Sequence, residues 1–156
     1  LPLDRVIFVL ARRSPLKGEA PRASEGHRLA MLELATRDEP RFAVSRVELD
    51  RPAPSYTVDT LEALAGEGQL FLILGADAAH DLDRWKEPER VRAMAQIVVA
   101  RRPGSEASDL AGIPLDTPLM DISARELRDR ASRGCSLRYL VPETVWRYIE
   151  EHDLYR

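Results

Sequence analysis

Apolar residues gather in short unbroken runs, separated by stretches with apolar positions three or four apart, the pattern of buried strands alternating with helices. Arg5-Val6-Ile7-Phe8-Val9-Leu10, Leu70-Phe71-Leu72-Ile73-Leu74 and Ile97-Val98-Val99-Ala100 show no polar alternation, so each predicts a strand covered on both faces. Phe42, Val44 and Val47 mark another strand, alternating at first with Ala43 and Ser45. Leu29, Leu32 and Ala35 predict a helix from about Ser24 to Thr36, with Ser24 as N-cap and Asp38-Glu39-Pro40 beyond its end. Asp50-Arg51-Pro52-Ala53-Pro54 is a stiff loop leading to Ser55-Tyr56-Thr57-Val58-Asp59-Thr60-Leu61 and a short helix to Leu64. Ala78 to Leu82 and Glu87 to Ala95 are helical in spacing, with Asp83-Arg84-Trp85-Lys86 breaking the pattern between them. The stretch from Ser105 to Pro118 is loop-like, and Leu119-Met120-Asp121-Ile122 predicts a last short strand. Ser123 with Glu126 forms a capping box, opening a helix that Gly134 closes. A final helix starts at Pro142 and carries Val145, Tyr148 and Ile149 on one face. Strands alternating with helices predict an α/β fold, a Rossmann-like doubly wound parallel sheet.

In such sheets ligands bind beyond the carboxyl ends of the strands. The run Leu70–Leu74 stops at Gly75-Ala76-Asp77. There Gly75 lets a ligand approach the backbone, and Asp77 can accept hydrogen bonds from the two hydroxyls of a ribose.

With 156 residues and 44% apolar content, the chain suits a single domain. The formal charge of −3 gives no global attraction for nucleic acid, and Glu126 and Asp129 interrupt the basic run from Arg125 to Arg133. Arg12, Arg13, Lys17, Arg101, Arg102, Arg125 and Arg128 nevertheless fall in predicted loops or at element ends, where they can converge on an anion. A lone cysteine, Cys135, excludes an internal disulfide and suits a reducing cytoplasm. His27, His80 and His152 share no ligand spacing, so no protein-held metal site is expected. No apolar run approaches the ~20 residues needed to cross a bilayer, and the first residues do not form a signal peptide. A soluble protein with no membrane partner is expected.

Taken in order, Glu25-Gly26-His27-Arg28-Leu29-Ala30-Met31, Val47-Glu48-Leu49-Asp50-Arg51, Pro54-Ser55-Tyr56-Thr57-Val58-Asp59-Thr60-Leu61, Gly75-Ala76-Asp77, Trp85, Arg101-Arg102-Pro103-Gly104, Ile122-Ser123 with Arg128, and Arg138-Tyr139-Leu140-Val141-Pro142 form one series. The series resembles the bacterial nicotinate-mononucleotide adenylyltransferases, from about Asp4 to Tyr155. The resemblance implies a nucleotidyltransferase-type fold and an enzyme of NAD biosynthesis that joins nicotinate mononucleotide to ATP, with Mg²⁺ present, giving deamido-NAD and pyrophosphate. The implied partners are these two small molecules, and the protein is a monomer or a homodimer. Family members open with a strand followed by a Gly-Gly-Thr-Phe-Asp-Pro-Ile-His motif that holds the ATP phosphates. Residues 1–156 begin beyond that point, so the expected single domain lacks its first strand and phosphate-binding loop, and little activity is expected without them.

Carried over residue by residue, Lys17 resembles the family lysine that meets phosphate, and Arg128 the arginine that reaches the ATP phosphates; these are the implied catalytic residues. Thr57 resembles the acceptor contact, and Trp85 the ring that stacks on nicotinate. The substrate carboxylate falls to backbone amides including that of Lys86, and Arg102 faces the ligand side of the sheet. Gly75 and Asp77 resemble the pair that holds the adenosine ribose. The family pattern Ile-Ser-Ser-Thr is here Ile122-Ser123-Ala124-Arg125, so two hydroxyls are missing. Ser123 and Arg125 are then the expected phosphate donors, the latter a cationic replacement. Two rivals remain at this point: a sister transferase acting on nicotinamide mononucleotide or pantetheine phosphate, and a nucleotide-binding module without catalysis.

Overall fold

The computed structural model describes residues 3–12, 21–100, 112–115, 118 and 120–156. All strand pairings in it are parallel, as the alternation of strand and helix requires. Contacts divide the chain into two compact units, one of Leu1–Ser55 with Ile122–Arg156, the other of Tyr56–Asp121.

In the first unit β1 (Val6–Val9) pairs with β2 (Phe42–Ser45), Val6 level with Phe42 and Val9 with Ser45. Helix α1 (Glu25–Thr36) connects them, capped by the Ser24 hydroxyl accepting from the His27 amide at 3.3 Å. Helix α5 (Ala124–Ser132) ends as Gly134 predicts: at φ +70 it lets the Gly134 amide reach Ala131 O at 2.9 Å and the Cys135 amide reach Arg130 O at 3.0 Å. Helix α6 (Glu143–Glu151) begins one residue later than expected, with Pro142 as N-cap. Ala131, Leu137, Val145, Ile149 and Leu154 form this unit's core, with Met31 and Leu34 of α1 packed against them.

The second unit holds α2 (Thr57–Leu64), β3 (Phe71–Gly75), α3 (Ala76–His80), α4 (Pro88–Met94), β4 (Gln96–Ala100) and β5 (Ile113–Leu115), in the sheet order β3-β4-β5. Val58, Leu61, Leu74, Ala76, Leu82, Val91, Ala95, Ile97 and Val99 make its core. An ion pair from Arg90 to Glu62 ties α4 to α2 on the outside, and Arg90 also pairs with Glu87 at the start of its own helix.

Three expectations are corrected. Of the strands expected to be covered on both faces, only β4 is: Ile97, Val98 and Val99 are all buried. Every residue of β1 is half-buried, and in β3 Leu74 faces the core while Ile73, on the opposite face, is 40% exposed. The physical reason is pairing. Among the described residues β1 has one strand neighbour, β2, and β3 has one, β4, so each has an open edge. Next, a strand lies inside the stretch read as loop. β5 pairs with Val98–Ala100 although Pro114 lacks an N–H, which an edge strand tolerates. Gly112 makes the approach possible, since a Cβ there would sit 2.9 Å from Val99 Cγ2 and 3.1 Å from the Ile97 carbonyl. Finally, the strand expected at Leu119–Ile122 is absent among its described residues: Met120, Asp121 and Ile122 pair with nothing, and Met120 is 73% exposed. Leu119 lies outside the described residues.

Candidate active site

In the second unit, residues expected to bind nucleotides emerge from the ends of core-bearing elements. Gly75 ends β3 and is the N-cap of α3, so Asp77 falls in the first turn of that helix, exposed. Gly75 is level with Ala100, the last residue of β4. The Arg102 that follows lies outside the described residues, as does Lys17.

Thr57 is the first residue of α2. Tyr56 is the N-cap and makes no side-chain cap hydrogen bond to the first turn. Buried Val58 fixes this end of α2 on the core. Trp85 follows a short 3₁₀ turn, Leu82–Arg84, and donates its amide to Leu82 O at 3.0 Å. Its ring is half-buried against the same core, yet its indole Nε1 is shielded from water with no hydrogen-bond partner. A buried donor without an acceptor costs stability, so this nitrogen adds nothing to the hold on the ring, which rests on its packing.

Lys86 joins the two segments. Its ammonium donates to Asp59 Oδ1 at 3.0 Å and lies 4.8 Å from the centroid of the Tyr56 ring. The hydrogen bond to Asp59 holds the Lys86 pKa above its ordinary value, so the ammonium stays charged. The chain then turns sharply: Glu87, the residue before Pro88, adopts the left-handed φ +52, ψ +57 as N-cap of α4. The Lys86–Asp59 pair sets the segment of Trp85 and Lys86 against the first turn of α2, which Thr57 opens. Tyr56 and Asp59, which fasten them, were missed by sequence reasoning. Asp59 stands two positions into the helix after Thr57, where an acid suits the positive helix end, and that is the signal that could have found it.

In the first unit Ser123 is the N-cap of α5, its hydroxyl oxygen accepting from the Glu126 amide at 3.1 Å. The hydroxyl proton remains available to an anion. Arg125 is exposed in the first turn, and Arg128 is half-buried one turn in. Among the described residues neither pairs with a carboxylate; Asp129, a candidate partner for Arg128, instead meets Arg22 at 3.6 Å. Burial pushes the Tyr155 phenol pKa up, while Arg128 and Arg28, both close enough to act on it, pull it down. His27 and His152, distant in sequence, lie with ring centroids 5.1 Å apart, and His27 Nδ1 is 3.0 Å from the Tyr148 hydroxyl. Among the described residues no three acidic, histidine or cysteine side chains cluster as a metal cage.

The chain is similar to known proteins. A family model described as cytidylyltransferase-like matches residues 1–130. A protein of Thermus thermophilus named probable nicotinate-nucleotide adenylyltransferase is 49% identical over 161 residues, covering all of this chain and 86% of the relative. One of the same name from a Roseiflexus species is 45% identical over 170 residues, covering all of this chain and 85% of the relative. Among solved structures, Plasmodium falciparum nicotinic acid mononucleotide adenylyltransferase complexed with NaAD matches with a TM-score of 0.79 at 15% identity, over 98% of this chain and 83% of that one. The same enzyme complexed with APC matches with a TM-score of 0.71.

Proposed function

Because the chain belongs to the cytidylyltransferase-like family, and to the nicotinate-nucleotide adenylyltransferases within it, we propose that it transfers the adenylyl group of ATP to nicotinate mononucleotide in NAD biosynthesis. The observation that carries the reading is the fastening of Trp85 and Lys86 to the first turn of α2 beside Thr57 through the Lys86–Asp59 pair. An aromatic ring beside the first turn of a helix suits a flat, carboxylated ring.

The acceptor 5′-phosphate oxygen attacks the α-phosphorus of ATP. A new P–O bond forms as the bond to the β-phosphate oxygen breaks, and pyrophosphate leaves with the electron pair. The nucleophile is already anionic at neutral pH, so no strong general base is needed, and the protein's work is alignment and charge stabilisation. In this reading Thr57, Trp85, the Lys86 amide and Arg102 receive nicotinate mononucleotide. Gly75 and Asp77 take the adenosine ribose. Ser123, Arg125 and Arg128 take the ATP phosphates, and Lys17 with Arg128 stabilises the departing charge. Mg²⁺ would come with the ATP phosphates, which Ser123, Arg125 and Arg128 receive, and would there offset phosphate charge.

The chain acts as one nucleotidyltransferase domain, a reading supported by a family match that runs from residue 1 to residue 130 through both compact units. No described helix is long and apolar enough to cross a membrane, and we place the enzyme in the cytoplasm as a monomer or homodimer. Pyrophosphate release by the full-length protein tests the function with nicotinate mononucleotide, nicotinamide mononucleotide, pantetheine phosphate and no acceptor. Turnover preferring the carboxylated ring supports it; preference for another acceptor, or no turnover, overturns it.

A further inference from the structure

Two ion pairs bridge the same two segments of the second unit, and only one of them lies at the residues assigned to the acceptor. Asp59 and Glu62, three apart on α2, are neighbours on one helix face. Asp59 Oδ1 accepts from the Lys86 ammonium at 3.0 Å, while Glu62 pairs with Arg90 of α4. Trp85 and Lys86 fall between the 3₁₀ turn Leu82–Arg84 and α4, outside any regular element, so no backbone ladder sets their place. Trp85 is tied back by its amide to Leu82 O at 3.0 Å, and its ring packs on the core. Lys86 is placed by its side chain. Its ammonium lies between Asp59 and the ring of Tyr56, 4.8 Å from that ring's centroid, and Tyr56 is itself packed on the core. Glu87 follows at φ +52, a conformation that a non-glycine residue keeps only where its surroundings hold it.

We propose that Asp59 is a positioning residue for the acceptor nucleotide: by holding the Lys86 ammonium it sets the spacing between the backbone of Trp85-Lys86 and the first turn of α2, and with it the room offered to a flat ring. The Glu62–Arg90 pair braces the same segments further along α2 and has no part in that spacing. The inference rests on the adenylyltransferase reading above and adds a residue that acts on the acceptor through Lys86 without touching either nucleotide.

The test measures both Michaelis constants and the melting temperature of the full-length enzyme and of Asp59→Asn, Lys86→Met, the two together, Lys86→Arg and Glu62→Gln. The Lys86 and Asp59 side chains are 41% and 38% exposed, so water screens the pair and its loss acts several-fold rather than by orders of magnitude. Asp59→Asn and Lys86→Met should each raise KM for nicotinate mononucleotide about three- to fivefold, with KM for ATP changed by less than about twofold. The double variant should do no more than either alone, since both act through one contact. Lys86→Arg keeps the charge and should recover part of the loss. Glu62→Gln removes the other pair between these segments and should leave both constants unchanged, whatever it does to the melting temperature. With the unmutated enzyme turning over, an unchanged acceptor constant in Asp59→Asn, equal changes in both constants, additive effects in the double variant, or the same acceptor defect in Glu62→Gln overturns this inference alone. An unmutated enzyme without turnover on nicotinate mononucleotide overturns the functional reading and this one with it.

Discussion

Replacing Trp85 separates a binding platform from a packing residue. Its ring is half-buried against the core of Val58, Leu61, Leu74 and Leu82, and its Nε1 finds no acceptor within the protein. Complete burial would make Trp85→Ala cost roughly 3–5 kcal/mol, and half-burial brings this to about 2 kcal/mol. In a domain of this size that lowers Tm by roughly 4–8 °C. Stacking on a base or like ring is worth ~1–3 kcal/mol by alanine substitution, so KM for nicotinate mononucleotide should rise roughly 5- to 150-fold. KM for ATP should stay within about twofold, because the ring is assigned to the acceptor alone. Trp85→Phe sharpens the test. It keeps a stacking face and removes a nitrogen that bonds to nothing in the protein, so it should restore most of the Tm and most of the acceptor KM. The assay is steady-state pyrophosphate release with each substrate varied at saturation of the other. Equal rises in both constants, or a Tm loss with neither constant changed, would refute the assignment.

Three further outcomes follow from particular contacts. Gly112→Ala drives a methyl group to 2.9 Å from Val99 Cγ2 and 3.1 Å from the Ile97 carbonyl, both fixed in β4, and should cost about 1–3 kcal/mol in denaturant unfolding; an unchanged midpoint would contradict the close β4–β5 packing. Arg125→Ala removes an exposed guanidinium assigned to the ATP phosphates and should weaken ATP binding about tenfold or more in calorimetry, with unchanged affinity removing that role. Tyr155 should ionise late: burial raises its folded pKa, so its contribution to stability is complete below the ordinary value of about 10 and is lost as pH rises through the folded value. Ultraviolet titration of the four tyrosines should show one late step that Tyr155→Phe abolishes, and its persistence in that variant would assign it elsewhere.

Elements whose signals are local were legible from the sequence. Ser24, Ser123 and Gly134 set helix ends through their own hydrogen bonds or backbone freedom, and each acts where spacing alone puts it. The errors arose where a neighbour distant in sequence decides. An unbroken apolar run does not say whether a second strand or helix is there to cover it, so β1 and β3 were expected to be more buried than they are. Gly112 and Pro114 carry loop chemistry, and only the pairing with β4 makes a strand beside them. For the site, motif order brought out Thr57, Trp85, Lys86, Gly75 and Asp77, but not what holds them. The Lys86–Asp59 pair joins segments far apart in the chain, and no periodicity reports such a contact.

The account turns on adenylyl transfer to nicotinate mononucleotide, and following the phosphorus tests that most directly. Full-length enzyme is incubated with nicotinate mononucleotide and ATP labelled either at the α- or at the γ-phosphorus, and the products are separated. The account predicts the α-label in deamido-NAD and the γ-label in pyrophosphate, in equal molar amounts and only when the acceptor is present. A γ-label on the acceptor, or hydrolysis of ATP that proceeds equally without nicotinate mononucleotide, would contradict it.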